Sequence, residues 1–267
     1  MMVTFHGAGR GPSLVPARQP AFGVSLQSTD RLKSKFYKAV RDDWNPDDAR
    51  KYGEKLKKRG VPLPDINVGG RVLRSVHGPI LNHRYALADV LLALGLDINY
   101  VVTDHNDHEY AHGKTILYRM VEKGDVDATL FALSRNADPD KPSNGTAPLT
   151  AAMGIPNAEA RFRITDALLK AGANPDVTDP QGNTPLMKSF ATGQPELMKL
   201  LLDAGADVSI RNIHQQNALT RAFARLNDFG KTDLTTVLLL LNGKNADPDT
   251  TDVLGRSLLH AAVMENR

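Results

Sequence analysis

The sequence predicts an all-α solenoid of antiparallel helix pairs joined by projecting hairpin-like loops. Three observations predict it: apolar residues at helical period, turn-forming residues at recurring places, and self-similarity at a roughly constant spacing. The clearest unit runs Asp179-Pro-Gln-Gly-Asn-Thr-Pro-Leu186, then Met187 to Thr192, then Gly193 to Asp207. Gly182 permits a tight turn. Thr184 is placed to cap the helix that follows, and Pro185 takes its first position, where a missing N–H costs nothing. A second amphipathic run ends at Gly205, a residue suited to a left-handed cap.

The same frame recurs along the chain. A leucine-like position of the first helix falls at Phe36, Leu73, Leu117, Leu149, Leu186, Leu219 and Leu259, with spacings of 37, 44, 32, 37, 33 and 40. Three residues further on lies a mostly small apolar position: Ala39, Val76, Met120, Ala152, Ser189, Ala222 and Ala262. The second helices end at Gly60, Gly95, Asn136, Gly172, Gly205 and Asn245, and Asn is the other residue that tolerates the left-handed cap. Asp97, Asp138, Asp207 and Asp247 recur just after these ends and read as turn formers rather than as paired catalytic acids.

Taken in order, residues 1–28 read as a flexible tail, carrying Gly7, Gly9, Gly11, Pro12, Pro16 and Pro20 but no continuous apolar core. A non-cleaved export signal of the kind used by bacterial injected proteins has the same look. The repeat domain spans 29–267. Its first unit, 31–66, is a degenerate N-terminal cap with helices at 32–40 and 46–58. Full units follow at 70–102, 113–140, 145–176, 182–208 and 215–249, about six repeats in all, with a partial one at 255–267. Three stretches lengthen the frame: 99–112, the linker 154–157 with a long second helix at 158–171, and 227–232. Added residues in a solenoid fall in loops, often on the binding side. A complete last unit needs a second helix, so either the natural protein continues beyond Arg267 or the first helix of this half-repeat serves as the cap, the first being the expectation.

Gly182-Asn-Thr-Pro-Leu186 with Ala204-Gly-Ala-Asp207, Asn144-Gly-Thr-Ala-Pro-Leu149 with Ala171-Gly-Ala-Asn174, and Gly255-Arg-Ser-Leu-Leu-His260 resemble the ankyrin repeat family over about residues 31–267. The resemblance implies two antiparallel helices per repeat and a loop projecting at roughly a right angle. It further implies a curved stack whose concave side is lined by fingertips and first helices. His260 stands at the family's Thr-Pro-Leu-His histidine position, where a hydrogen bond to a neighbouring loop is the implied role. The physics agrees: a two-helix unit cannot bury its apolar stripe alone and must lean on its neighbours.

Composition narrows the functions. The chain is 41% hydrophobic and 24% charged, which is ordinary for a folded protein, and has no cysteine, which excludes disulfide and thiolate chemistry. No apolar run is long enough for a transmembrane segment. Net charge is +3, unevenly spread: residues 1–60 hold 13 Lys/Arg against 6 Asp/Glu, leaving 20 against 24 in the rest. Lys51, Lys55, Lys57, Lys58 and Arg59 cluster on one expected helix, a solvated face of a terminal repeat or an attraction for an acidic partner. Phe36 among these bases is accounted for by the core, so nucleic acid is not an expected partner.

No phosphate loop, nucleophile elbow or kinase set is present. His105, His108 and His112, with Asp104, Asp107 and Glu109, form the densest set of metal-ligating types. In a projecting polar loop nothing holds them in place beforehand, so a solvated loop or partner contact is expected rather than a metal. No cofactor, metal or catalytic residue is expected, and the chain is read as a non-enzyme.

The expected function is recognition of another protein through the concave face. The resemblance maps the variable loop positions onto His112, Lys114, Asn144, Gln181, Asn183, His214 and Gln216. It maps the first-helix ends onto Glu122, Lys123, Ala191, Thr192, Ala224 and Arg225, with Tyr118 as an aromatic anchor. Tyr110, Phe190 and Phe223 stand nearby, and the two phenylalanines also fit the inter-repeat core. Two other readings stay open: the recognition portion of a larger enzyme or exported bacterial effector whose activity lies beyond residue 267, and a structural spacer. The expected state is a monomer in the cytoplasm, or in a host cytoplasm if exported.

Overall fold

The computed structural model describes residues 22–63, 67–68, 71–72, 76–101, 113–222, 240–251, 255 and 257. Helix pairs follow one another: α1 (Phe22–Arg41) with α2 (Pro46–Lys58), α3 (His77–Leu81) with α4 (Tyr85–Ala93), α5 (Ile116–Lys123) with α6 (Val126–Ser134), α7 (Pro148–Ala152) with α8 (Ala158–Lys170), and α9 (Pro185–Ser189) with α10 (Pro195–Asp203). A 3₁₀ turn, Phe190–Thr192, extends α9, and the backbone is again helical at 218–222 and 240–241. First helices α3, α5, α7 and α9 contact in series, and so do α2 with α4 and α6 with α8 and α10, while α4 meets α6 where the Tyr85 ring stacks on Phe131, giving two layers of helices. The one sheet among the described residues is a two-residue-per-strand hairpin, β1 (Asn67–Val68) against β2 (Arg71–Val72), antiparallel. It lies between α2 and α3 in the chain, β1 contacts α1, and the described fold is otherwise helical.

The repeated leucine frame is the core. Phe36, Leu117, Leu149, Leu186 and Leu219 are at most 1% exposed. Their small partners Ala39, Val76, Met120, Ala152, Ser189 and Ala222 are buried as well. Leu73, Leu259 and Ala262 lie outside the described residues. Close approach between layers is visible at Gly53 in α2, where a Cβ would run into the side chains of Leu94 and Phe36.

The caps follow from sequence. Thr115 and Thr184 accept hydrogen bonds from the backbone N–H of Tyr118 and Met187, satisfying donors the helix leaves open. Asn45, Asp125 and Asn157 do the same for α2, α6 and α8. Each of these second helices then closes in a Schellman pattern: after α8, Gly172 N–H reaches Leu169 and Ala173 N–H reaches Leu168. Asn136 and Asn245 take φ of 60° and 59°, the left-handed role expected of them.

Behind these caps the recurring Asx residues build a ladder. Asp97, Asp138, Asn174, Asp207 and Asp247 each accept the N–H two residues on, at 2.8–3.0 Å. Residues two further along reach across to the next repeat: Asn99 accepts Asp138 N–H, Asp140 accepts Asn174 N–H, and Asp176 accepts Asp207 N–H, at 2.7–2.9 Å. At Ser209 the shorter hydroxyl instead bonds back to Asp207, whose other oxygen receives the Asn245 amide.

Helix α1 begins at Phe22, inside the stretch expected to be tail and ten residues ahead of the expected start at 32. Pro20 is the last proline before Pro46, so nothing after it breaks a helix. The linker at 154–157 is braced from within. Buried Arg161 donates through Nε and a terminal nitrogen to the Ile155 carbonyl at 2.9 and 2.7 Å, and through the other terminal nitrogen to Gln194 at 2.6 Å. Gln194 also donates to the Ala158 carbonyl, which is why it opens α10 without capping it by side chain.

Candidate functional site

Three fingers carry the loop positions. In the first, Ser143 and Thr146 exchange backbone hydrogen bonds around Asn144 and Gly145, both left-handed. In the second, the Asp179 carboxylate accepts from the N–H groups of Gln181 and Asn183 and from Lys188 Nζ at 2.9 Å. Burial alone pushes its pKa up, but the hydrogen bonds from Lys188 and Asn183 outweigh that and hold it below the ordinary value. In the third, Asn212 plays the same part, accepting from His214 and Gln216 N–H. The second and third fingers are tied together by Ile213 N–H to the Gln181 carbonyl at 3.0 Å and by the Asn212 amide to Asn183 Oδ1 at 2.9 Å. Arg221 donates to that same Asn183 oxygen at 2.9 Å.

Just ahead of α5, Lys114 reaches along the helix: its Nζ meets Glu122 at 2.6 Å and lies 5.5 Å from the centre of the Tyr118 ring. Tyr118 is 9% exposed, and burial first, then the Glu122 charge, raises its pKa. Between this trio and Arg221 runs a groove of about 560 Å³. Tyr118 and Glu122 form one wall; Thr146, Thr150, Ala151, Met153 and Gly154 the middle; Asp179, Asn183, Lys188, Ala191 and Arg221 the other side. The groove exists because side chains shrink along the frame. Glu122, Gly154 and Ala191 occupy one repeat position, and Arg119, Ala151, Lys188 and Arg221 another, so the α7 repeat supplies the smallest residue at both. The Thr150 hydroxyl, in a residue 1% exposed, has no hydrogen-bond partner among the described residues.

Of the twelve residues expected to bind, Tyr118, Glu122 and Asn183 line the groove and Lys114 is bonded to its wall. Asn144, Gln181 and His214 sit exposed on the fingers, and Lys123 is exposed at the end of α5. Gln216 is half-buried and accepts from Asn212 at 3.4 Å. Thr192 is occupied locally, its hydroxyl donating to the Ser189 carbonyl at 2.6 Å and accepting Gln194 N–H. Phe190 is 7% exposed and belongs to the core. His112 and Arg225 lie outside the described residues, as do His105, His108, His260, Tyr110, Phe223 and Ala224. Asp179, Lys188 and Arg221 were not foreseen, although the basic residues two places after Leu186 and Leu219 were a readable signal.

The groove offers charged pairs, amides and a buried hydroxyl, which suit recognition more than bond making. Among the described residues no group of three His, Cys, Asp or Glu is placed to hold a metal, and no helix is long and apolar enough to cross a membrane.

The profile described as ankyrin repeats matches residues 157–252 in three copies. The chain is 34% identical over 79 residues to putative ankyrin repeat protein R664 of Acanthamoeba polyphaga mimivirus, covering 28% of this chain and 48% of that one. It is 28% identical over 155 residues to the E3 ubiquitin-protein ligase KEG of Arabidopsis thaliana, covering 55% of this chain and 9% of the ligase. Potassium channel AKT2/3 of the same plant is 37% identical over 59 residues, 22% of this chain and 7% of the channel. The chain thus spans less than half the length of each of these relatives.

Proposed function

Starting from a chain that belongs to the ankyrin repeat family, whose repeats are protein-binding modules, we propose that it recognises a partner protein through the groove between Tyr118 and Arg221. One observation carries the reading: equivalent positions in successive repeats contribute to one continuous recess, with the small residues Ala151 and Gly154 in its lining. The rim carries both signs of charge and two amide-bearing fingers, so the partner contact is polar at the edge and close at the floor.

Ala191 is exposed and lines the groove, so Ala191→Trp fills the recess without touching the core. A partner captured from native extract is purified and its affinity measured directly. Ala191→Trp and Glu122→Lys are expected to weaken it about tenfold or more with helicity unchanged. Exchange at the exposed Leu130 of α6 leaves it intact. Loss on Leu130→Ala with none on Ala191→Trp overturns the assignment.

A second reading makes these repeats the recognition portion of a longer enzyme. The ligase relative favours it, because the matched segment is only 9% of that protein. The full transcript tests it: a catalytic domain in the same open reading frame supports it, and none excludes it.

A further inference from the structure

A second recess lies between α1 and the end of α2, away from the groove above. It measures about 640 Å³ and is walled by Arg31 and Lys35 of α1 and by Lys55, Lys58 and Arg59 of α2 and its cap, with Ser28 at the rim. Among the described residues no carboxylate lines it. Of the acids nearby, Asp30 pairs with Lys33 at 3.6 Å and Asp43, in the turn between the helices, with Lys38 at 3.3 Å; Asp47 and Asp48 sit in the first turn of α2, at its opposite end, and exposed Glu54 of α2 does not line the recess. None of the five cations has a carboxylate oxygen within 4.0 Å among the described residues.

Basic residues in the last turn of α2 complement the negative end of its dipole. That account does not reach Arg31 and Lys35, which lie within α1 and face the same space at a cost in like-charge repulsion. The Arg59 fork is held ready, donating to Ser28 Oγ at 2.9 Å and Thr29 Oγ1 at 3.2 Å.

We propose that this recess binds a compact soluble anion bearing two or more phosphate groups. Each phosphate brings more than one charge and three acceptor oxygens, so a few neutralise five cations within a volume typical of small-ligand sites. An extended acidic peptide places carboxylates on one face only about every 7 Å and runs past the recess. A bilayer meets cations spread on a common outward plane, whereas these converge from two helices.

Calorimetry on the whole chain with myo-inositol hexakisphosphate at ~0.15 M salt tests the proposal. One molecule per chain is expected. Arg31→Gln/Lys35→Gln/Lys58→Gln should weaken binding by about tenfold or more. The control Arg50→Gln/Lys57→Gln/Lys199→Gln, which removes equal charge from exposed positions elsewhere, should change it by about twofold or less. Circular dichroism confirms that both variants stay folded. Equal weakening in the two variants, several molecules per chain, or no binding overturns the proposal. So does binding to phosphatidylinositol bisphosphate vesicles, to a short single-stranded oligonucleotide or to a polyglutamate peptide when the soluble phosphate is not bound.

Discussion

His77 opens α3 in a site where it is 1% exposed, and its titration makes the stack acid-sensitive. Burial is the main cause that lowers its pKa from 6.5 to about 4; the Arg119 charge adds to it, and a hydrogen bond with the Tyr100 backbone partly offsets both. The folded value lies below the unfolded one, so protons favour the unfolded chain. The contribution of neutral His77 is complete above about pH 6.5 and is lost as pH falls towards about 4. The full span corresponds to about 3 kcal/mol, of which about 2 kcal/mol is lost between pH 7.5 and pH 5, where most carboxylates remain ionised. Urea melts followed by circular dichroism should place the midpoint about 1 M lower at pH 5 than at pH 7.5. In His77→Gln most of that difference should vanish, whatever the variant's absolute stability. Arg119→Met should shrink it as well, because one of the two depressing influences is gone. An undiminished acid loss in His77→Gln, or an NMR titration of His77 centred near 6.5, refutes the reasoning.

Removing the Arg161 side chain leaves the Ile155 carbonyl and Gln194 without their donor, so Arg161→Ala should cost about 3 kcal/mol in denaturant melts, and Arg161→Lys, which lacks the fork, should recover less than half. Asp140→Ala and Asp176→Ala each delete one inter-repeat acceptor and should cost about 1 kcal/mol, with the double variant departing from additivity because both are bonded to Asn174, while the Asn variants keep most of it. Gly53→Val drives a side chain into Leu94 and Phe36 and should cost about 2 kcal/mol, seen as an earlier fluorescence transition of Trp44, which packs on the same core.

What the sequence could tell was set by whether a residue's role is local. Caps are local: Thr115 and Thr184 bond three residues ahead, and a left-handed Asn136 is decided by the helix it ends. The leucine frame is legible because every repeat presents the same problem of burial to the next. Helices at 46–58 and 158–170 therefore fall where their caps and periodicity put them. The start of α1 does not, since Phe22 has neither a cap signal nor a periodic neighbour and is identified only by the absence of a breaker after Pro20. The inter-repeat staples were half legible: Asp138 announces its own turn, but nothing in a single repeat says that Asp140 reaches Asn174.

The residues expected to bind show the same division from the other side. Frame position alone puts Tyr118, Glu122 and Asn183 on the groove, but it cannot say which side chains are already engaged. Asn183 holds both Arg221 and Asn212 on one oxygen, and Thr192 spends its hydroxyl on the end of α9. A residue that braces two fingers sets the shape a partner meets, so replacing Asn183 changes the positions of Arg221 and Asn212 before it removes any contact of its own. Glu122 differs: its one ion-pair partner among the described residues is Lys114, half its side chain is exposed, and it can exchange that lysine for a group on another molecule. On the proposed reading, specificity rests on exposed ends such as Glu122 and on the space left by Ala151, Gly154 and Ala191, while the buried amides and Asp179 fix the frame that presents them.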